Sequence, residues 1–294
     1  MADLKSIKES LGTGPLGLSP TLRTETRTCS CGKEFTAYIK VEDGKDILDG
    51  LAICRSCREE QEYQKYKSER IAELPKLQIQ GRDGWKKACN LPALFIKKTF
   101  DNFEKKLQLK AYDIMKNYDI KSMASIILLS PNLYGVGKTH LVAALINDLI
   151  EKTEPAVFYP GDCSIRWRRC PAYFTSENNL LARIRNTFNS NVPIEDEDYE
   201  NEEMIYQELI DTPLLIIDDV GKVRPRDYSF LQGVYFRIID SRYTSQQPII
   251  LTTNLSFTEL EEHIGGACSD RLREMCGDEN FVVMKGKSYR KKSE

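Results

Sequence analysis

The sequence has no apolar run that reaches the ~18 residues a membrane span needs, and its opening stretch, MADLKSIKES, lacks the apolar core of a secretory signal. The expected location is therefore the cytoplasm. Net charge is also scarce. Lys and Arg number 42 against 44 Asp and Glu, a formal −2, so bulk charge does not draw the chain to polyanions, although local patches can. The charge that is unevenly placed is local. Glu195 to Glu203 is acidic and reads as a solvated loop. Lys285 to Lys292 is basic and reads as a soluble end, with phosphate contact as the alternative. Internal repeats are absent. What remains is 41% apolar and 29% charged, the profile of a soluble globular protein with room for one large and one smaller domain.

Cysteine is not scarce. There are nine, an odd number in a chain expected in a reducing compartment, where disulfides are rare. Four form two close pairs, Cys29-Ser-Cys31 and Cys54-Arg-Ser-Cys57. Four thiolates satisfy tetrahedral Zn²⁺, one knuckle per pair. No His lies between them, so an all-cysteine site is the full site available. A reduced structural pair or a redox C-x-x-C is the alternative. A segment this short also needs more than its own core to fold. Cys89, Cys163, Cys170, Cys268 and Cys276 have no ligand spacing and read as buried thiols. A second metal site at Cys163 and Cys170 is the less favoured reading.

Four regions follow: a loose arm over 1–27, rich in Gly and Pro, a four-cysteine zinc-binding domain over 28–62, a helical linker over 63–90 and a nucleotide-binding domain over 91–294. The Gly- and Pro-free run Arg58 to Leu74 predicts a linker helix, and Pro75 to Gly84 predicts a boundary. Beyond Leu91, short β-branched runs alternate with amphipathic stretches. Strands are expected at Ile126–Leu129, Ala172–Thr175, Leu214–Ile217 and Ile249–Thr252. Helices are expected at Phe103–Asn117, Thr139–Glu151, Asn178–Phe188 and Tyr228–Tyr243. Fully apolar strands between helices predict an α/β fold with a parallel sheet covered on both faces.

Ser130 to Leu141 reads S-P-N-L-Y-G-V-G-K-T-H-L. It follows an apolar strand and opens a helix, as a P-loop does. Gly137, Lys138 and Thr139 match the usual pattern, whereas Asn132 stands at the first glycine. Asn tolerates positive φ best among non-glycine residues, so the turn stays feasible, and Gly135 adds freedom. The ATP-binding set is thus Asn132, Leu133, Tyr134, Gly135, Val136, Gly137, Lys138, Thr139 and His140. Amides of the loop and helix start would hold the phosphates, Lys138 would add charge, and the Thr139 hydroxyl would ligate Mg²⁺. Leu214 to Asp219 is a buried strand ending in two carboxylates, at the sheet edge where α/β ligands bind. Asp218 would hold Mg²⁺, and Asp219 would orient or activate the attacking water. Asn254, after the run Ile249 to Thr253, could meet the γ-phosphate or the water, or be an ordinary turn residue. Spacing alone reads Arg271 as half of a surface salt bridge.

These residues together resemble AAA+ ATPases of the DnaC/DnaI helicase-loader and IstB-like group, from about Leu91 to Arg290. The resemblance rests on Thr99-Phe-Asp-Asn-Phe103, G-V-G-K-T-H-L, L-L-I-I-D-D-V-G, Ser241 to Leu255, S-D-R-L-R and K-G-K-S-Y-R. It implies a P-loop AAA+ core, with the parallel sheet sandwiched by helices, that hydrolyses ATP as an oligomer. It places Asn254 at the sensor-1 position and Arg271 at the arginine-finger position, with a second sensing role for Arg290. It also implies that a separate helical lid is missing. Asp219 stands where many relatives have Glu, a shorter reach that could slow hydrolysis. An N-terminal zinc domain is a feature of loaders that contact the replicative helicase. The leading expectation is thus a helicase loader using ATP, Mg²⁺ and Zn²⁺, with the helicase, single-stranded DNA and copies of itself as partners. The alternatives are a transposition helper ATPase that binds DNA and a transposase, and an assembly module with little turnover.

Overall fold

The computed structural model describes residues 21–42, 45–47, 53–188, 200–286 and 288–289. The readings made for the first twenty residues, for 195–199 and for Arg290 lie outside these described residues. The chain divides into two units, Met1–Glu73 with Phe158–Ser164, and Leu74–Val157 with Ile165–Glu294.

In the first unit, β1 (Thr21–Thr28), β2 (Glu34–Glu42) and β3 (Lys45–Ile47) pair antiparallel in chain order. Ala37 and Ile39, two apart on β2, are buried, the period of a strand with one covered face. Helix α1 (Arg55–Ala88) begins in this unit and ends in the second. It runs on through Pro75 to Gly84 without interruption, so the helix is longer than the Gly- and Pro-free run Arg58 to Leu74, while the two units divide at Glu73, beside Pro75. A proline leaves the carbonyl four residues back without its helical donor. Here that residue, Ile71, is exposed, where solvent is at hand to take the donor's place. Two short strands, β5 (Ala156–Tyr159) and β6 (Ser164–Trp167), pair as a ribbon.

The second unit holds the five-stranded sheet. Its strands are β4 (Ile126–Leu129), β7 (Ala172–Ser176), β8 (Leu214–Val220), β9 (Ile249–Thr253) and β10 (Phe281–Val283), in the order β10-β4-β9-β8-β7. All four pairings are parallel. The helices are α2 (Leu109–Lys116), α3 (Lys138–Lys152), α4 (Glu177–Phe188), α5 (Glu202–Asp211), α6 (Ser229–Thr244), α7 (Phe257–Ile264) and α8 (Gly266–Cys276). Alternate strand residues serve opposite faces. Ile126 and Leu128 join a core with Leu141, Leu145 and Met115. Ile127 and Leu129 join a separate core with Leu180, Ile238 and Leu260. Both faces being covered is why these strands read as unbroken apolar runs.

Two local expectations fail for identifiable reasons. The helix expected over Phe103–Asn117 is a 3₁₀ turn at Lys105–Leu107 followed by α2, with Gln108 at φ −135° between them. The Gln108 amide donates to the Lys285 carbonyl at 2.5 Å, a tertiary bond that periodicity does not reveal. The acidic stretch read as a loop to Glu203 turns helical at Glu202. The Asn201 side chain caps α5 by accepting from Met204 N at 2.9 Å, and Glu202 and Glu203 sit in its first turn, where acidic groups favour the helix dipole.

Candidate active site and metal centre

The phosphate loop joins β4 to α3 and turns through three left-handed residues. Asn132 has φ 56°, Gly135 76° and Gly137 98°, so Asn132 adopts the conformation expected of it in place of glycine. Its amide donates to the Asn254 carbonyl at 2.9 Å. Gly137 caps α3. A β-carbon there would come within 2.7 Å of the Phe103 ring, so shape as well as φ requires glycine.

The strand ends converge on this loop. Lys138 is buried, and its ammonium donates to Ser130 Oγ and, at 2.6 Å, to Asn254 Oδ1. Thr139 Oγ1 lies 3.0 and 3.1 Å from the two oxygens of Asp218. Thr252 Oγ1 donates to Asp218 Oδ1 at 2.6 Å and accepts from Asp219 N at 2.9 Å. These bonds exist because β8 and β9 slip register between Ile217 and Val220. The irregularity holds both carboxylates, and Asp219 takes φ 58°, so the two acids part. Asp218 turns into the sheet edge, while Asp219 pairs with Lys222 one turn on. Burial, reinforced by the neighbouring Asp219, pushes the Asp218 carboxyl up to about 6, against the hydroxyls of Thr252 and Thr139, which hold it down.

A cavity of about 620 Å³ opens over the loop, within the usual range for small-molecule sites. Gly135 to His140 form one wall, and Asp219, Lys222 and Asn254 form another. Leu94, Phe95, Phe103, Tyr134 and Tyr289 give the lining an apolar share, and Lys98, Asn102 and Glu104 also face it. Phosphates beside the amides and Lys138, with a base among the rings, match this mixed lining. Of the ATP-binding set, Tyr134 to His140 line the cavity. His140 also ties the loop's helix to the segment before it, with Nε2 2.8 Å from Asn102 Oδ1 and 3.1 Å from the Thr99 carbonyl. Burial holds the His140 imidazole below its ordinary value.

Arg271 is not among the residues that line this cavity. It lies on α8, 2.8 Å from Asp240 of α6, and rests over the Phe236 ring. The salt bridge suggested by spacing is therefore present, and any finger role would have to be played on another copy.

In the first unit the four sulfurs of Cys29, Cys31, Cys54 and Cys57 all lie within 4.8 Å of one another. Four thiolates on one zinc at about 2.3 Å would stand about 3.8 Å apart, and Cys31 and Cys54 are at 3.6 Å. The set fits the ion. One pair comes from the turn between β1 and β2, where Gly32 N donates to the Cys29 carbonyl at 2.8 Å. The other comes from the start of α1. The amides of Cys31 and Cys54 lower the Cys29 thiol to about 6, whereas the crowding of Cys31 and Cys54 pushes Cys57 up to about 12, so without a cation the cluster does not hold four thiolates. Among the described residues no other group of three metal-capable side chains gathers. Neither Cys163 nor Cys170 belongs to such a group. Cys170 donates to the Ala172 carbonyl at 3.2 Å, and burial raises its thiol to about 11.

Sequence reasoning missed Ser130, Thr252, Thr253 and Glu177. Thr252 and Thr253 carried a signal, since hydroxyls closing a fully buried strand must have partners. Glu177 carried none, because an acid at a helix start reads as an ordinary first-turn residue.

Residues 174–294 match the family described as IstB-like ATP binding protein, which is less than half of the chain. The replicative helicase loader DnaC of Escherichia coli K12 is 24% identical over 156 residues, 53% of each protein. The chain spans about half the length of the curated relatives it matches. The crystal structure of the DnaC helicase loader has a TM-score of 0.48 at 19% identity, covering 66% of this chain and all of that one. That of DnaI has a TM-score of 0.46 at 16% identity, covering 68% and 94%. The resemblance to the DnaC/DnaI and IstB-like group is borne out at this level.

Proposed function

We propose that this protein is an ATPase that loads a replicative helicase onto DNA. The observation that carries the ATPase part is that Lys138, Thr139 and Asn254 line one cavity, with Lys138 bonded to Asn254 and Thr139 bonded to the buried Asp218 behind it. The phosphates of ATP would lie on the amides from Gly135 to Thr139, with Lys138 exchanging its bonds to Ser130 and Asn254 for phosphate oxygens. Mg²⁺ held by Thr139 and Asp218 would neutralise phosphate charge. Asp219, released from Lys222, would orient the attacking water, with Asn254 beside it. Arg271 of a neighbouring copy would offset charge in the transition state, which makes the site shared between copies. Zinc would organise the first unit for contact with the helicase, while single-stranded DNA would meet the ATPase assembly. Similarity to DnaC and the four-thiol cluster support this reading.

A transposition helper that binds DNA and a transposase is the second reading, favoured by the match to IstB-like proteins. An assembly module with little turnover is the third, favoured by Asp219 being paired with Lys222. Pull-downs with a replicative helicase and with a transposase separate the first two. A helicase captured only with nucleotide, and a transposase not captured, is the expected result. Single-turnover ATP hydrolysis with and without DNA decides the third. Lys138→Ala should abolish nucleotide binding, and unchanged binding would overturn the site itself.

A further inference from the structure

Glu177 is the first residue of α4, yet it has no exposed surface. Its two oxygens have separate duties. Oε2 accepts from the backbone amides of Gly221 and Val223, each at 3.0 Å. Oε1 accepts from the Tyr235 hydroxyl at 2.9 Å and lies 2.6 Å from His263 Nε2. One oxygen therefore grips the turn just after Asp219, and the other is anchored to α6 and α7. Asp219 is in a left-handed conformation that a non-glycine residue holds only when its surroundings fix it. From the front, the Thr252 hydroxyl fixes its amide. From behind, the two amides on Glu177 fix the chain two and four residues on.

We propose that Glu177 is a positioning residue for hydrolysis: it clamps the turn over Gly221 to Val223, and so sets where the Asp219 carboxylate stands relative to the phosphate loop. This role rests on the hydrolysis reading above. The clamp also makes the Asp219 turn answer to α6 and α7. α6 carries Asp240, the partner of Arg271. Strain on that helix pair, as from a neighbouring copy, thereby reaches the water-orienting acid through one side chain.

The test uses Glu177→Ala and Glu177→Gln in the full chain. Glutamine can place its carbonyl oxygen where Oε2 stands and keep both amide bonds. Its NH₂ group then faces the Tyr235 hydroxyl and the imidazole, both of which can accept. The reverse orientation would set donors against donors, so one orientation is selected. Alanine loses the clamp. Three quantities are read: nucleotide affinity, single-turnover hydrolysis, and amide hydrogen exchange over 219–223. Glu177→Ala should lose about 10²-fold in turnover, the scale of a displaced catalytic group. Its nucleotide affinity should stay within about twofold, because no loop contact is removed. Exchange over 219–223 should quicken. Glu177→Gln should recover most of the turnover and the slow exchange, which also covers the case in which the alanine variant does not fold. Turnover in Glu177→Ala equal to the parent, or affinity falling in step with turnover, would overturn the role. So would Glu177→Gln losing turnover while its exchange stays slow. A parent protein that hydrolyses nothing would instead fail the hydrolysis reading, and is seen in the parent alone.

Discussion

Asp218→Asn should stabilise the nucleotide-free protein, and more so as the pH rises. Asp218 is 4% exposed. Its burial raises it from the ordinary 3.8 to about 6. The folded state therefore holds this proton more tightly than the unfolded state. The stabilisation that comes with the proton is complete below pH 3.8 and is lost as pH climbs through 6. From 3.8 to about 6 corresponds to about 3 kcal/mol at about 1.4 kcal/mol per unit. Linkage places about 1.4 kcal/mol of that loss between pH 5 and 8. Asparagine is isosteric, accepts from Thr139 and Thr252 through one oxygen, and does not ionise. Its advantage over the parent should grow by about 1.4 kcal/mol over this range, or about 3–6 °C in melting temperature for a domain of this size. The measurement is a pair of thermal melts without nucleotide or divalent metal at each pH. With Mg²⁺ and ATP the order should reverse, because ligand that binds only the folded parent stabilises it by mass action. An advantage that is flat in pH, or shrinks as pH rises, would refute the assignment of Asp218 as a buried acid poised for a cation.

Arg271→Ala should leave nucleotide affinity unchanged and cut turnover by about 10³-fold, and mixing it with Lys138→Ala should restore part of the activity, since each copy then supplies what the other lacks. Loss of affinity, or no recovery on mixing, would leave Arg271 as the partner of Asp240 and nothing more. Cys54→Ser should remove the zinc that metal analysis finds in the parent and open the N-terminal unit to protease, and a parent without zinc would end the metal reading. Arg242 is fully buried and donates to the carbonyls of Leu209, Ile210, Thr212, Pro213 and Pro248, so Arg242→Met should cost about 3–5 kcal/mol by leaving them without a donor. A melting temperature that rises instead would show that freeing the protein of a buried cation outweighs those bonds.

Strands β4, β7, β8 and β9 were legible because a strand covered on both faces has nowhere to put a polar residue. The same rule made Asp218 and Asp219 stand out, since acids closing such a strand need a reason to be there. What was not legible depends on partners remote in sequence. β10 is three residues long, too short for any period to register, and exists because β4 offers it an edge. The continuity of α1 through Pro75 depends on which side of the helix faces water. Arg271 meets Asp240 across two helices, and spacing can suggest such a pair without naming its partner. Glu177 is the extreme case. Its four partners come from the turn after β8, from α6 and from α7, and its own neighbours in sequence say nothing of them.

The polar end of β9 explains why the site holds two left-handed non-glycine residues. Asn132 and Asp219 each carry a conformational cost on the order of 1 kcal/mol, and each lies just where the chain leaves a buried strand. Each is tied to a different residue of one short run, Thr252 to Asn254. The Asn132 amide bonds to the Asn254 carbonyl, and the Asp219 amide bonds to the Thr252 hydroxyl. Between them, Thr253 Oγ1 donates to the Val220 carbonyl at 2.7 Å. Asn254 also receives Lys138, so a phosphate that recruits Lys138 removes a donor from the very residue that braces the loop. Thr252-Thr253-Asn254 is thus the shared frame on which the phosphate loop and the acidic turn are both bent. An apolar strand that ends in two threonines and an asparagine marks such a frame, because hydroxyls and an amide at that depth are stable only when neighbouring turns supply their partners.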